Sequence, residues 1–293
     1  VRGEVAEARD WLARVDADGS TNIQAALQEA LRPDTDSSRV SQVVFLTDGK
    51  PTVGETSVEN IVELTSSMLD DERLFRRIMD EGAWVRISPY LFFTILLRQA
   101  RKDLHGGYTV ERWGQSYRLP VFDGSQVATL LEGGDVQDYL AGMLTSFTRV
   151  GSTVVYFHHR GRTHRRSFSD MDMDDMVGLS QGVEPEYRFA FFKRIADIAL
   201  FLTGVFPEYV TAASVGVTNG PRLSGRRTRT IEEYQNDGRQ FCLMAAECAP
   251  AGSADVALLG KIAGNFDLAR KPLNLVSERY MPLSRFQWFA PSL

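Results

Sequence analysis

The chain has 293 residues, 43% hydrophobic, 10% aromatic and 24% charged, which excludes a disordered or fibrous protein and suffices for one large domain or two ordinary ones. Its net charge of −5 excludes a global field that draws it to nucleic acid or anionic lipid, so any such binding would need a local patch. The two cysteines, Cys242 and Cys248, form neither a disulfide framework nor a C-x-x-C metal pair and read as reduced thiols of an intracellular protein.

Residues 4–15 read as a short helix, followed by a turn at Asp16–Gly19. From Ser20, the apolar residues Ile23, Ala26, Leu27, Ala30 and Leu31 recur at amphipathic-helix spacing until Pro33 stops the pattern. Gln42–Thr47 is a continuous apolar run ending in Asp48-Gly49, the signature of a strand buried on both faces. Thr56-Ser-Val-Glu59 matches a capping box and opens a helix through Met68. The order helix, helix, strand, helix is a piece of an α/β sheet, and the character changes near residues 68–74.

Two motifs in this first part carry a resemblance. Asp18-Gly-Ser-Thr-Asn-Ile23 resembles the G-G-T-N-I segment of the von Willebrand factor A domain. Val43-Val-Phe-Leu-Thr-Asp-Gly-Lys-Pro-Thr-Val-Gly-Glu55 resembles the strand-four motif of that family, as found in the heavy chains of inter-alpha-trypsin inhibitors and their bacterial relatives. The resemblance covers residues 16–66 and implies a metal-dependent protein-interaction segment. It assigns Thr21 as a hydroxyl ligand and Asp48 as a carboxylate ligand of Mg2+, a hard cation that prefers oxygen donors. The family's D-x-S-x-S motif is not found in the chain, so the resemblance is to part of such a domain and the implied Mg2+ site is incomplete.

Residues 70–293 read as a helical domain of unknown function. Helices are expected at Leu74–Met79 and Val85–Leu104, then a Gly- and Tyr-rich loop over Gly106–Leu119, then two short helices within 125–150. Ser152–Phe157 and Thr163–Ser169 flank Gly161 and predict a β-hairpin. Helices follow over Met171–Leu179, Glu186–Phe206, Ile231–Cys248 and Ala254–Tyr280, the last expected to kink at Pro272. The aromatic end Phe286–Phe289 reads as terminal packing. The fold class is therefore mainly α, with a small hairpin and a preceding incomplete α/β fragment.

In the hairpin segment, Tyr156 to Arg166, arginines Arg160, Arg162, Arg165 and Arg166 interleave with aromatics and histidines, a composition that can bind phosphate and stack bases. Arg222, Arg226, Arg227 and Arg229 form a second basic cluster that could extend it. His158, His159 and His164 lack the Cys or Glu neighbours of a zinc set. Asp170–Asp175 lacks the Gly and Glu of a calcium loop and reads as a helix N-terminus, where carboxylates suit the dipole.

Asp197 interrupts the most apolar helix, and a buried carboxylate requires a partner, expected to be Arg194 or an arginine of Arg98–Arg101. No nucleophile triad, phosphate loop or dinucleotide fingerprint appears. Taken together these features predict a non-enzymatic interaction or scaffold protein with a protein partner; the alternative is a nucleic-acid-associated protein acting through residues 156–166. No segment reaches the roughly 18–20 apolar residues of a membrane span. With no signal-peptide hydrophobic region at Val1–Glu4, the expected localisation is cytoplasmic.

Overall fold

The computed structural model describes residues 22–23, 25–26, 57, 70, 72, 75–76, 79, 88–106, 109–113, 117–149, 152–159, 162–169, 171–215, 229–250, 252–282 and 289. The chain divides into two units, Val1–Arg77 and Ile78–Leu293.

In the first unit, the helix expected from Ile23 shows its first turn. Ile23, Ala25 and Ala26 are helical, and the Asn22 side chain caps them by accepting from the Ala25 N–H at 2.9 Å. The expected strand 42–47 and the expected metal ligands Thr21 and Asp48 lie outside the described residues.

The second unit is mainly helical. Its first helix, α1 (Pro89–Gly106), begins later than Val85 because Pro89 takes the first helical position and Ser88 accepts from Leu91 N–H. The segment expected to be a loop instead holds two short antiparallel strands, β1 (Val110–Trp113) and β2 (Tyr117–Pro120). Four-residue strands are too short for a clear alternating pattern, and Gly106, Gly107 and Gly114 give the stretch the composition of a loop.

Helices α2 (Gly124–Glu132) and α3 (Gly134–Phe147) follow, and then the predicted hairpin. Its strands β3 (Ser152–His159) and β4 (Arg162–Ser169) pair in register from Ser152↔Ser169 to His159↔Arg162, slightly longer than expected. Helix α4 (Met173–Ser180) opens as its acidic start implies, with Asp172 accepting from Asp175 N–H. Helix α5 (Pro185–Val205) is followed at Phe206 by α6 (Pro207–Val215), where proline again supplies a helix start.

Helix α7 (Ile231–Cys248) begins with a full capping box between Thr230 and Glu233. The expected single helix 254–280 is divided. Helix α8 (Ala254–Gly264) stops at Asn265, whose ψ of 31° leaves the helical region, and α9 (Phe266–Leu275) starts immediately after. Gly264 is a poor helix residue, and the Asn265 side-chain amide donates to the Lys261 carbonyl, so the break falls there and not at Pro272. Pro272 lies inside α9, which passes into a π-helical turn at Val276–Tyr280. No described helix is long and apolar enough to cross a membrane.

The core of this unit centres on phenylalanine. Phe201 of α5 stacks on Phe147 of α3 at 4.2 Å between ring centres and meets Phe206 and Phe289 edge-on at 5.7 and 5.0 Å. Phe93 of α1 stacks on Phe289 at 5.8 Å, so Phe289, the described residue of the segment expected to pack, lies in the core.

Helix α9 is surrounded by other elements, with every residue from Ala269 to Ser277 buried. Two glycines make room for it. A Cβ on Gly204 of α5 would lie 2.7 Å from Leu273 Cβ, and one on Gly238 of α7 would lie 2.2 Å from the Phe266 ring. Neither site tolerates a methyl group without movement, because Phe266 and Leu273 are fully buried. Gly238→Ala is expected to cost about 1–3 kcal/mol by overpacking, despite alanine's better helix propensity. A urea midpoint equal to or above wild type would show that the Phe266 ring has room to retreat.

Candidate functional site

One open cleft among the described residues lies between α3 and the first half of α5 and has a volume of about 270 Å3. Met143 and Ser146 come from α3; Phe189, Lys193, Arg194 and Asp197 come from α5. Lys193 and Asp197 are four apart on one helix and so share a face.

Asp197 forms the floor, with its residue only 4% exposed. It accepts from the Tyr139 hydroxyl at 2.5 Å and from Lys193 Nζ at 2.8 Å. Lys193 also lies 4.7 Å above the Tyr139 ring, a cation–π placement. The expected partners of Asp197 are thus corrected. Arg194 turns toward α3, with its guanidinium 3.8 Å above the Phe147 ring and Nη1 donating to Ser146 Oγ at 2.7 Å. Lys193 and Arg194, four and three residues before Asp197, flank it on either side of the helix, and contact with α3 takes Arg194 while Lys193 is left to pair with the carboxylate.

Burial raises the Tyr139 hydroxyl well above its ordinary pKa, and the Asp197 charge adds to this. Cys242 of α7 shares this environment, and burial, followed by the Asp197 charge, pushes its thiol up to about 12. Both groups are protonated at neutral pH, so Tyr139 is a fixed donor and Cys242 a core thiol without nucleophilic character. Under native conditions at pH 8, a thiol reagent is expected to label the half-exposed Cys248 and spare Cys242, with both labelled in denaturant. Rapid native labelling of two thiols per chain would contradict this.

A second concentration of polar groups surrounds α9. Arg270 is fully buried; its Nη2 reaches Glu111 of β1 at 2.6 Å and Asp267 at 3.2 Å, and its guanidinium sits 5.2 Å from the Trp113 ring. Lys271 pairs with Asp267 at 3.1 Å and with Asp123. Asn274 occupies the outer edge of β1, accepting from Arg112 N–H at 2.7 Å and donating to Arg112 C=O at 3.2 Å. Its amide therefore takes the place of a neighbouring strand.

Glu278, carried on the π turn, pairs with Arg112 at 2.5 Å and with Arg118. Burial opposes the charge of Glu278, but the two guanidiniums outweigh it and hold its carboxyl below the usual range. These contacts fasten the β1–β2 ribbon to α9. They are structural pairs whose partners are already supplied, and sequence reading missed them because the partners are about 160 residues apart. The available signal was Arg270-Lys271 and Asn274 within an otherwise apolar stripe.

The predicted site residues fall in separate places. Thr21, Asp48 and Arg160 lie outside the described residues, as do Arg222, Arg226 and Arg227. Arg162, Arg165 and Arg166 lie on β4. Arg229 does not extend an exposed basic cluster: it is 7% exposed and pairs with Asp174 at 2.6 Å and Asp237 at 2.9 Å. It ties the start of α4 to α7, a role its neighbours in sequence do not reveal. Among the described residues no group of three or more His, Cys, Asp or Glu is placed to hold a metal ion. Asp197 is the one carboxylate that lines the α3–α5 cleft.

On the surface, Tyr117 and Leu119 of β2 are 73% and 42% exposed, and Phe122, just beyond the strand, is 92% exposed. Comparisons with protein-family models, curated proteins and solved structures found no match.

Proposed function

We propose that this chain is a non-enzymatic protein-interaction module with a partial von Willebrand factor A-type segment at its start. The observation that supports the interaction role best is the apolar group formed by Tyr117, Leu119 and Phe122. Three large side chains within six residues face water although folding normally buries such groups, and clustered exposure of this kind marks interaction surfaces. The β1–β2 ribbon that carries two of them is anchored through Asn274, Glu278 and Arg270, so the surface is presented on a rigid support.

The metal-dependent part of the reading rests on the sequence resemblance at Thr21 and Asp48. Mg2+ would be held there by a hydroxyl and a carboxylate, with waters filling most of its shell.

A photo-crosslinker placed at position 122 and, as control, at exposed position 188 tests the interaction role in cells. Discrete protein adducts from position 122 alone are expected; equal or absent adducts at both positions would overturn it. Calorimetric titration with Mg2+ tests the metal separately, with binding expected for the wild type and lost in Asp48→Ala. No binding to the wild type removes metal dependence and leaves the interaction role to the cross-linking result.

A further inference from the structure

The cleft between α3 and α5 has a chemistry that the apolar surface of β2 does not use. Much of its wall is carbon, from Met143 of α3 and from Phe189 and Ala190 of α5. Its polar groups differ in how far they are committed. Asp197 accepts at both oxygens, Oδ1 from Tyr139 at 2.5 Å and Oδ2 from Lys193 at 2.8 Å. The Ser146 hydroxyl donates to Met143 C=O and accepts from Arg194 Nη1, both at 2.7 Å. Lys193 is less fully used. An ammonium carries three N–H donors, of which Asp197 takes one, and the Lys193 side chain is 30% exposed. The capacity left in the cleft is therefore that of a charged donor. Its position is fixed, because the same ammonium sits 4.7 Å above the Tyr139 ring.

Gly142 makes the space. It lies within α3, where glycine is a poor helix residue, and a Cβ placed on it would meet nothing within 4 Å. Gly204 and Gly238 differ, since their missing side chains make way for α9. At Gly142 the space is left to the cleft that this residue lines. The volume of about 270 Å3 falls just below the roughly 300–1,000 Å3 of pockets that hold drug-sized molecules, so the occupant is a small one.

We propose that this cleft binds a small organic anion with an apolar body, of the type of a medium-chain carboxylate. The carboxylate would accept from Lys193 Nζ, with the Arg194 guanidinium on the same wall, and the chain would lie over Gly142 against Met143 and Phe189. An anionic acceptor suits an ammonium better than a neutral one, because charge-assisted hydrogen bonds are roughly twice as strong. A cation would have to displace Lys193 from Asp197, and an inorganic anion has no carbon to cover the apolar wall. This inference does not depend on the protein-interaction role.

The test is NMR on the whole chain with isotope-labelled methionine methyl groups, the Met143 signal being assigned through Met143→Leu. Octanoate, octanamide and inorganic phosphate are the probes. Octanoate should shift the Met143 signal saturably, and phosphate should leave it unmoved. Octanamide should bind about tenfold more weakly, because it lacks the charge-assisted bond. Gly142→Leu, whose side chain enters the open space, should abolish the octanoate shift without lowering the thermal midpoint. Lys193→Gln keeps a donor for Asp197 and removes the charge. It should weaken octanoate about tenfold and leave octanamide unchanged, a split that a general loss of structure does not produce. That split decides the matter if Gly142→Leu fails to fold. No octanoate shift at Met143, equal affinity for octanamide, an equal response to phosphate, a shift that persists in folded Gly142→Leu, or no split in Lys193→Gln would overturn the proposal.

Discussion

Arg270→Met is expected to destabilise the second unit by about 3–5 kcal/mol, the usual cost of removing one partner of a buried ion pair. The loss arises mainly at Glu111. Its carboxylate is buried on β1, and the substitution leaves it in the interior without the guanidinium that compensates its desolvation. Asp267 contributes less, because it is 39% exposed and keeps Lys271 at 3.1 Å.

An opposing effect limits the loss. Arg270 Nε and Nη1 are buried without hydrogen-bond partners, so the wild type already carries an unmet desolvation cost that methionine removes. The outcome of the double replacement follows from this balance. Arg270→Met with Glu111→Leu removes both the stranded carboxylate and the orphaned N–H groups, and it should match or exceed wild-type stability. Urea denaturation with a constant m-value measures all three differences. A single variant within about 1 kcal/mol of wild type, or a double variant no better than the single, would show that the pair is not what holds β1 against α9.

Phe201→Ala should produce a loss of similar size, about 3–5 kcal/mol, for a different reason. Phe201 is fully buried at the meeting point of Phe147, Phe206 and Phe289, contributed by α3, the α5–α6 junction and the end of the chain. Removing its ring deletes three aromatic contacts at once and opens a cavity bounded by helices held at other points, including the Gly204 crossing of α5 and α9. The walls therefore collapse poorly, and the cost should lie toward the upper part of the range. Phe201→Leu, which fills most of the space, should lose less than half as much. Near-UV circular dichroism and urea midpoints report the two variants; a loss below about 1 kcal/mol for alanine would mean that the core closes over the gap.

These two positions differ in how well the sequence announces them. Phe201 belongs to the apolar run Ile195–Phe206, and its burial follows from composition alone. Arg270 does not: its tenfold neighbourhood contains apolar residues at helical spacing, and nothing local distinguishes a buried arginine from one that reaches solvent along its aliphatic stem. Asp197 is intermediate. Its burial and its need for a partner were legible, but the partner was not, since both Lys193 and Arg194 lie within one turn and only the position of α3 separates their roles.

Arg229 shows the same limit from the other side. In sequence it is one of four arginines in a Gly- and Thr-rich stretch, whereas in the fold it is buried between Asp174 and Asp237. The α3–α5 cleft likewise needs the approach of two helices that are adjacent in neither sequence nor pattern.

What the sequence by itself determined is whatever depends on spacing and local chemistry. Helical periodicity set the succession of helices, the two runs flanking Gly161 set the hairpin, Asp172 and Thr230 set their caps, and the lack of acidic residues from 152 to 169 set the charge of the ribbon. Tertiary structure alone decided which distant polar groups pair, because Glu111 meets Arg270 and Arg112 meets Asn274 across about 160 residues of chain. It also decided where the long C-terminal helix divides and why α9 can sit among its neighbours at all: Gly204 and Gly238 are ordinary helix residues until another helix occupies the space beside them. Spacing acts over one or two turns, whereas desolvation and steric fit depend on whatever the whole chain brings within a few ångströms.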